Sequence, residues 1–506
     1  VLPVLTAAQM READRRTIEG GVAGAILMER AGAAVAQAVR ERFPQARRIA
    51  VLCGKGNNGG DGFVAARYLG ERAPAVVLFA RRHDVTGDAA TQLGRLDEAG
   101  LSVQEVVDAR AWQAIRDEVR GADLVIDALL GTGLRAGLEG LLGEVVRDLV
   151  DAAAPLVAVD IVSGLPSDGG AATGPVPRAA LTVTFAAPKY GHVLPPAHAQ
   201  AGELRVTDIG ITAQTLASVG PTLWLLDASD AARAYPARRA AAHKGDFGHV
   251  LAVAGSRGKS GAAVLSGTAA LRAGAGLVTV ATPEAAQPIV AAARPELMTE
   301  PLGSDALARI LELAGRCDAA LVGPGWGAEG TAGEIARAFV AQCPAPLVVD
   351  ADALNAFAPL SGREWPRLPR LTILTPHPGE MARLLGRTTA AVQADRLAAA
   401  RELARATGAV AVLKGERTLV AEPDGRTAVN PTGNPGMAKG GTGDALAGII
   451  AALLARGCDA WTAATVGVFV HGLAGDRAAE RVGQESMLAG DLVDSLGEAI
   501  RSVGRD

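Results

Sequence analysis

The sequence predicts an α/β fold built twice: two domains, each a mostly parallel sheet with helices packed on both faces. Three observations lead there. Short apolar runs rich in β-branched residues recur along the chain, and their continuity is that of strands buried on both faces. Helical stretches separate them, which is the rhythm of βαβ units. The rhythm is interrupted once, between Thr212 and Ala242, where Pro221, Pro236, Arg233, Arg238 and Arg239 gather. Residues 1–212 are therefore read as one domain, 213–240 as a boundary region and 241–506 as a second domain.

The first series of predicted strands is Arg48–Cys53, Ala75–Phe79, Leu124–Ala128, Leu156–Val159 and Leu181–Phe185, with helical patterns such as Gly62–Leu69 and Leu138–Val150 between them. The second series is Val250–Ala254, Leu277–Ala281, Ala320–Val322, Leu347–Val349, Thr372–Leu374 and Val410–Leu413. In open parallel sheets ligands bind beyond the carboxyl ends of the strands. The residues that follow each strand thus carry the functional information, and in both halves they are glycine-rich or acidic.

Composition narrows the class. With 49% hydrophobic and 21% charged residues in 506, the chain can bury large cores. Aromatic residues are only 3%, which favours close helix–sheet packing through small side chains. The net charge of −4 and the absence of a basic block argue against nucleic acid as a partner. Cys53, Cys317, Cys343 and Cys458 lie far apart without paired spacing, as buried thiols do in a reducing compartment. The longest apolar run, Ala445–Ala455, is interrupted by Gly448 and too short to span a bilayer. No signal peptide precedes Val4, so a cytoplasmic enzyme or binding protein is expected.

After the first strand comes CGKGNNGGDGFVAARYL, Cys53–Leu69. Its glycines permit positive φ and close backbone approach, and the helix that follows turns free N–H groups toward the loop. Asn57, Asn58 and Asp61 add amide oxygens and a carboxylate, suited to a hydroxyl, an amide or an alkali cation. Two further strand ends join it: VIDALLGTGLRAG, with Asp127 and the glycine loop Gly131–Gly137, and VAVDIVSGLPSDGG, with Asp160 and Ser163. The combination GNNGGDGxxxAR, DALLGTGL and VAVDIxSGL resembles the NAD(P)H-hydrate epimerase family, which implies a Rossmann-like three-layer domain. That family interconverts the C6 epimers of hydrated NAD(P)H and uses potassium. The resemblance implies that Asn57, Asn58, Gly59, Gly60 and Asp61, with Gly131, Thr132, Gly133, Leu134, Arg135, Ala136 and Gly137, cradle the hydrated dinucleotide. It further implies potassium at Asn58, Asp127 and Ser163, and substrate contact and catalysis at Asp160. The residue types suit the chemistry. Loss and return of hydroxide passes through a conjugated iminium-type cation, which a carboxylate can stabilise while shuttling the proton. Potassium needs oxygens, not sulfur or imidazole.

The second half ends in NPTGNPGMAKGGTGDALAGII, Asn430–Ile450. Gly440, Gly441, Thr442 and Gly443 can aim consecutive N–H groups at one point, and the helix behind them adds its dipole. This is an anion hole for a phosphoryl group in transfer, and Asp444, one residue on, is placed to take the proton of the attacking hydroxyl. The GxGD loop resembles the ribokinase-like superfamily. Together with HKGDFGHVLAVAGSRGKSG, LVGPGWG, LVVDADALN, LTPHPGE and VLKGERTLV, it resembles the ADP- or ATP-dependent NAD(P)H-hydrate dehydratase family. The resemblance implies phosphorylation of the C6 hydroxyl of the S hydrate and elimination of phosphate, with magnesium accompanying ADP or ATP. It places Lys414, Gly415, Glu416, Arg417, Thr418 and Gly443 at the adenine nucleotide, and Ala262 or Ala263, Gly325, His377 and Asp444 on the hydrate side. Asp350 and Asp352 are candidates for the magnesium or its water shell, and equally for strand-end caps.

Other features read as structure. GSRGKSG lacks the spacing of a phosphate-binding P-loop. His243 and His249 are expected in a loop and at a strand start, and His471 packed in a helix. Expected partners are NADHX or NADPHX and an adenine nucleotide, without nucleic acid or membrane. The resemblance also implies a homo-oligomer, a tetramer or larger. A small-molecule kinase with a stable product, and a non-catalytic first domain, are the rival readings.

Overall fold

The structure is a computed structural model that describes residues 1–133, 137–359, 368 and 371–504. The chain divides into two compact units, Leu2–Thr222 and Leu223–Asp506. The division falls inside the stretch 213–240, which is no plain tether. Helix Ala213–Ser218 closes the first unit, while strand Leu223–Leu225 and helix Ala228–Ala234 open the second.

In the first unit seven strands form one parallel sheet in the order Val103–Glu105, Ala75–Leu78, Ile49–Cys53, Leu124–Ala128, Leu156–Val159, Leu181–Phe185, Glu203–Thr207. The sheet starts at Ile49–Cys53, runs outward to one edge, then returns to build the other side from Leu124–Ala128. The order therefore reverses between these two strands, and the crevice between their following loops is where such sheets bind ligands. Register brings Cys53 opposite Ala128 and Leu52 opposite Asp127, so the two loops lie side by side. The central strands are buried along their whole length, as their unbroken apolar runs require. Helices Gly24–Arg42 and Asn57–Tyr68 contribute to the hydrophobic cluster of one face, and Ala109–Arg120 and Gly140–Val150 to that of the other.

The second unit repeats the plan. His249–Val253 is central; Leu277–Pro283 and Met298–Leu302 lie to one side; Ala319–Val322, Leu347–Val349, Thr372–Leu374 and Val410–Leu413 lie to the other, all parallel. Leu419–Ala421 and Thr427–Val429 continue antiparallel, and Leu223–Leu225 pairs parallel with the latter. The reversal falls between His249–Val253 and Ala319–Val322. The apolar run Ala445–Ala455 is buried throughout in helix Thr442–Ala455. Gly448 lets that helix press onto the adjoining helix Ser260–Arg272, for a Cβ there would overlap the carbonyl oxygen of Ser266. Among the described residues no helix is long and apolar enough to cross a membrane.

Candidate functional sites

The helix expected from Gly62 starts earlier, at Asn57, so Asn57–Asp61 form its first turn and not a loop. Glycine is a poor helix former, but here close packing decides. A Cβ on Gly59 would overlap the carbonyl oxygen of Gly54, and one on Gly62 would lie 2.6 Å from Ala128 Cβ. None of Gly54, Gly56, Gly59, Gly60 and Gly62 has a positive φ, so close approach is the part of the glycine expectation that holds.

Asn57, Asn58, Asp61, Gly131, Thr132, Gly133 and Asp160 line one cleft of about 930 Å³. Gly137 packs against Thr173, and Leu134, Arg135 and Ala136 lie outside the described residues. Beneath the cleft Asp127 is fully buried. Its carboxylate accepts Ser163 Oγ at 2.6 Å, Ser163 N at 2.8 Å and Leu129 N at 3.2 Å. Burial still pushes this carboxyl up despite those bonds. Asn58 Nδ2 is buried without a partner, and its Oδ1 lies against Gly131.

The residue that organises the cleft is one that sequence reasoning passed over. Lys189, fully buried, forms an ion pair with Asp160 and donates to Thr184 Oγ1 at 2.8 Å. Thr184 Oγ1 donates in turn to Asp160 Oδ1 at 3.0 Å. Burial would raise the Asp160 carboxyl; the Lys189 ammonium outweighs it and holds the group below its ordinary value. Asp160 carries φ of +61°, a left-handed backbone that turns its side chain off the strand end. Asp14 and Asp61 face the same cleft, and burial raises both, Asp14 to about 6 and Asp61 well above the ordinary value. Lys189 follows strand Leu181–Phe185, so a lysine stands beyond that strand where Asp160 stands beyond its neighbour. The position after a strand was the available signal.

In the second unit Gly441, with φ of +94°, turns the chain into helix Thr442–Ala455. The first N–H groups of such a helix have no partner within it. Asp444 stands in that first turn, partly exposed, and burial and Asp350 raise its carboxyl to about 6 while Lys414 opposes them. A Cβ on Gly443 would lie 3.2 Å from Lys414 Nζ, so an ammonium flanks the glycine turn. Lys414 Nζ reaches Asp350 at 2.7 Å and Glu380 at 3.8 Å. Its side chain thus sits between two carboxylates, and the neutral Thr375 adds an Oγ1 hydrogen bond to Asp350 at 2.7 Å. Asp350 Oδ2 is buried without a partner, whereas Asp352 accepts Gly327 N at 2.9 Å and Lys259 Nζ at 3.1 Å. Among the described residues no group of three or more His, Cys, Asp or Glu side chains is disposed to hold a metal.

The remaining predicted residues fall around this centre. Ala262 is half-buried beside Gly325, while Ala263 is fully buried against Gly255. His377 caps helix Pro378–Leu385, its Nδ1 accepting Gly379 N at 3.0 Å. The turn 414–418 is fastened by Thr418 Oγ1 on Gly415 O at 2.8 Å and by buried Arg396, which donates to Leu413 O and Lys414 O. His471 is packed as expected, yet its ring contacts Thr442 O at 2.9 Å and so pins the glycine turn. Burial lowers it to about 4, which keeps it neutral.

Comparison with known proteins agrees with both halves. Residues 250–498 match the NAD(P)H-hydrate dehydratase family and residues 24–191 the family described as YjeF-related protein N-terminus. The bifunctional NAD(P)H-hydrate repair enzyme Nnr of Moorella thermoacetica is 43% identical, over 99% of this chain and 97% of its own. An ADP/ATP-dependent NAD(P)H-hydrate dehydratase from Bacillus subtilis, co-crystallized with ATP and Mg2+, is 32% identical. It superposes with a TM-score of 0.50 over 55% of this chain and 98% of its own. A ribokinase-like superfamily protein from Enterococcus faecalis is 29% identical, with a TM-score of 0.51 over 56% of this chain and 98% of its own.

Proposed function

Because the chain belongs to the family of bifunctional NAD(P)H-hydrate repair enzymes, we propose that its first unit epimerises R- and S-NAD(P)HX at Asp160 and its second dehydrates the S epimer at Asp444. The observation that carries the reading is the position of Asp444: a carboxyl in the first turn of a helix, beside an ammonium and a glycine turn. The amides of Gly440–Gly443 and Lys414 would bear the charge of the transferred phosphoryl group. Asp444, raised toward neutrality yet largely ionised at pH 7, would take the proton of the C6 hydroxyl as its oxygen bonds to phosphorus. The nucleotide leaves with the electrons of the broken P–O bond. The ring nitrogen then expels phosphate from C6, and loss of the C5 proton restores the double bond of NAD(P)H.

Magnesium with ADP or ATP fits this site through the free oxygen of Asp350, since the ion binds by one or two carboxylates and the phosphates. There it would neutralise phosphate charge. The donor is ADP or ATP. In the first unit the donor set fits potassium: the Asn58 amide oxygen, the Asp127 carboxylate and Ser163 supply only oxygens, and all three residues are buried. The ion would fix the dinucleotide-binding turn. Asn57–Asp61 and Gly131–Gly137 would hold the hydrated dinucleotide, and Ala262, Gly325 and His377 the S hydrate. The Lys414–Thr418 turn would hold the adenine nucleotide. We assign the two activities to the units Leu2–Thr222 and Leu223–Asp506, and to the protein a cytoplasmic location and a homo-oligomeric assembly.

The test supplies hydrated NADH with ADP or ATP and follows recovery of the reduced-nicotinamide absorbance. Asp444→Asn should lower the rate by about 100-fold or more. Undiminished recovery would remove Asp444 from the mechanism.

A further inference from the structure

Resting on the epimerase reading of the first unit, we infer that Asp14 is the catalytic acid–base of that cleft, carrying the proton to and from the C6 oxygen while Asp160 serves as a fixed anion. Asp160 has three fixed partners: Lys189, Thr184 and the Phe185 N–H. A carboxylate held by a buried lysine, a threonine hydroxyl and a backbone N–H is a weak base and stays charged. It is suited to facing a cation, not to exchanging a proton near neutrality. Another group has to carry the proton.

Among the described residues the cleft offers two buried or half-buried carboxyls without an ion-pair partner, Asp14 and Asp61. Asp61 is buried in the first turn of helix Asn57–Tyr68, where burial and the two neighbouring acids raise its carboxyl well above the ordinary value. Asp14 stands on helix Ala7–Glu19, half-buried at the cleft wall, where water can reload it. Burial and Asp160 raise its carboxyl to about 6, with Lys189 opposing. It can therefore both release and recover a proton at working pH. The other charges around it are Arg11 on its own helix, His192 behind Lys189, kept neutral by burial, and Lys55, Arg81, Asp84 and Asp88, which also line the cleft. Helix Ala213–Ser218, packed against that of Asp14, carries no ionisable side chain.

The step balances without a co-reactant. Protonated Asp14 donates to the C6 hydroxyl. The C6–O bond breaks with its electron pair on the departing water, and the ring-nitrogen lone pair moves in to give the iminium cation opposite Asp160. Water then adds to either face of C6, and the Asp14 carboxylate takes back the proton.

The experiment measures interconversion of separated R- and S-NADHX by the full chain between pH 5 and 8, corrected for the uncatalysed rate. Wild type should lose rate about tenfold per pH unit above a break near 6, because the reactive form is protonated. Asp14→Asn should fall by about 100-fold or more and lose the break, while Asp14→Glu should keep exchange with the break displaced. Asp14→Asn with the wild-type rate, or with the break still near 6, would overturn the assignment to Asp14. Absence of exchange in wild type would overturn the epimerase reading itself, and this inference with it.

Discussion

Asp14 illustrates how a side chain in a site bears on stability as well as on chemistry. Its carboxyl is raised in the fold to about 6 from an ordinary 3.8. A raised carboxyl favours the folded state below the ordinary value and loses that advantage as pH climbs to the folded value. Above about pH 6 the group is therefore a constant burden, on the order of 2 kcal/mol. Asp14→Asn should melt higher than wild type at pH 8, with the difference shrinking toward pH 4, as thermal unfolding at both pH values would show. Asp160 poses a backbone question. Its φ of +61° is tolerated by Asp, Asn and Gly, whereas other side chains add strain of about 1 kcal/mol or more. Asn is thus the substitution there that removes the charge with least disturbance of the turn.

Among the elements, helix Asn57–Tyr68 shows where sequence reasoning succeeds and where it stops. Its glycines announce a tight place, but only packing says which of them are irreplaceable. Gly59→Ala should cost about 1 to 3 kcal/mol, since the added carbon meets the Gly54 carbonyl. Gly56→Ala meets open space and loses only a favourable N-cap residue, so it should cost less, about 0.5 to 1 kcal/mol. Thermal melting of the two variants would separate them, and equal losses would contradict the packing argument. The buried strands were legible because burial on both faces leaves an unbroken apolar run, as at Leu124–Ala128 and Leu181–Phe185. Val103–Glu105 and Met298–Leu302 were not, because edge strands carry exposed and mixed residues. Lys189 was hidden for another reason: its place after a strand is visible, but nothing in the sequence shows that it folds back onto an acid 29 residues earlier.

For the whole molecule, each unit holds its own core, its own sheet and its own acid. Asp160→Asn should abolish epimer exchange and leave dehydration of the S epimer intact, and Asp444→Asn should do the reverse. Loss of both activities in either variant would mean that the two centres are not separable. Both sheets also place their polar residues beyond the same ends of their strands, which leaves the other ends without a chemical task. Gly121 and Ala122 precede one strand there, and Gly408 another, the last exposed with a φ of +67°. A fluorescent label or an inserted affinity tag spliced at either point should be carried by an enzyme that still repairs its coenzyme.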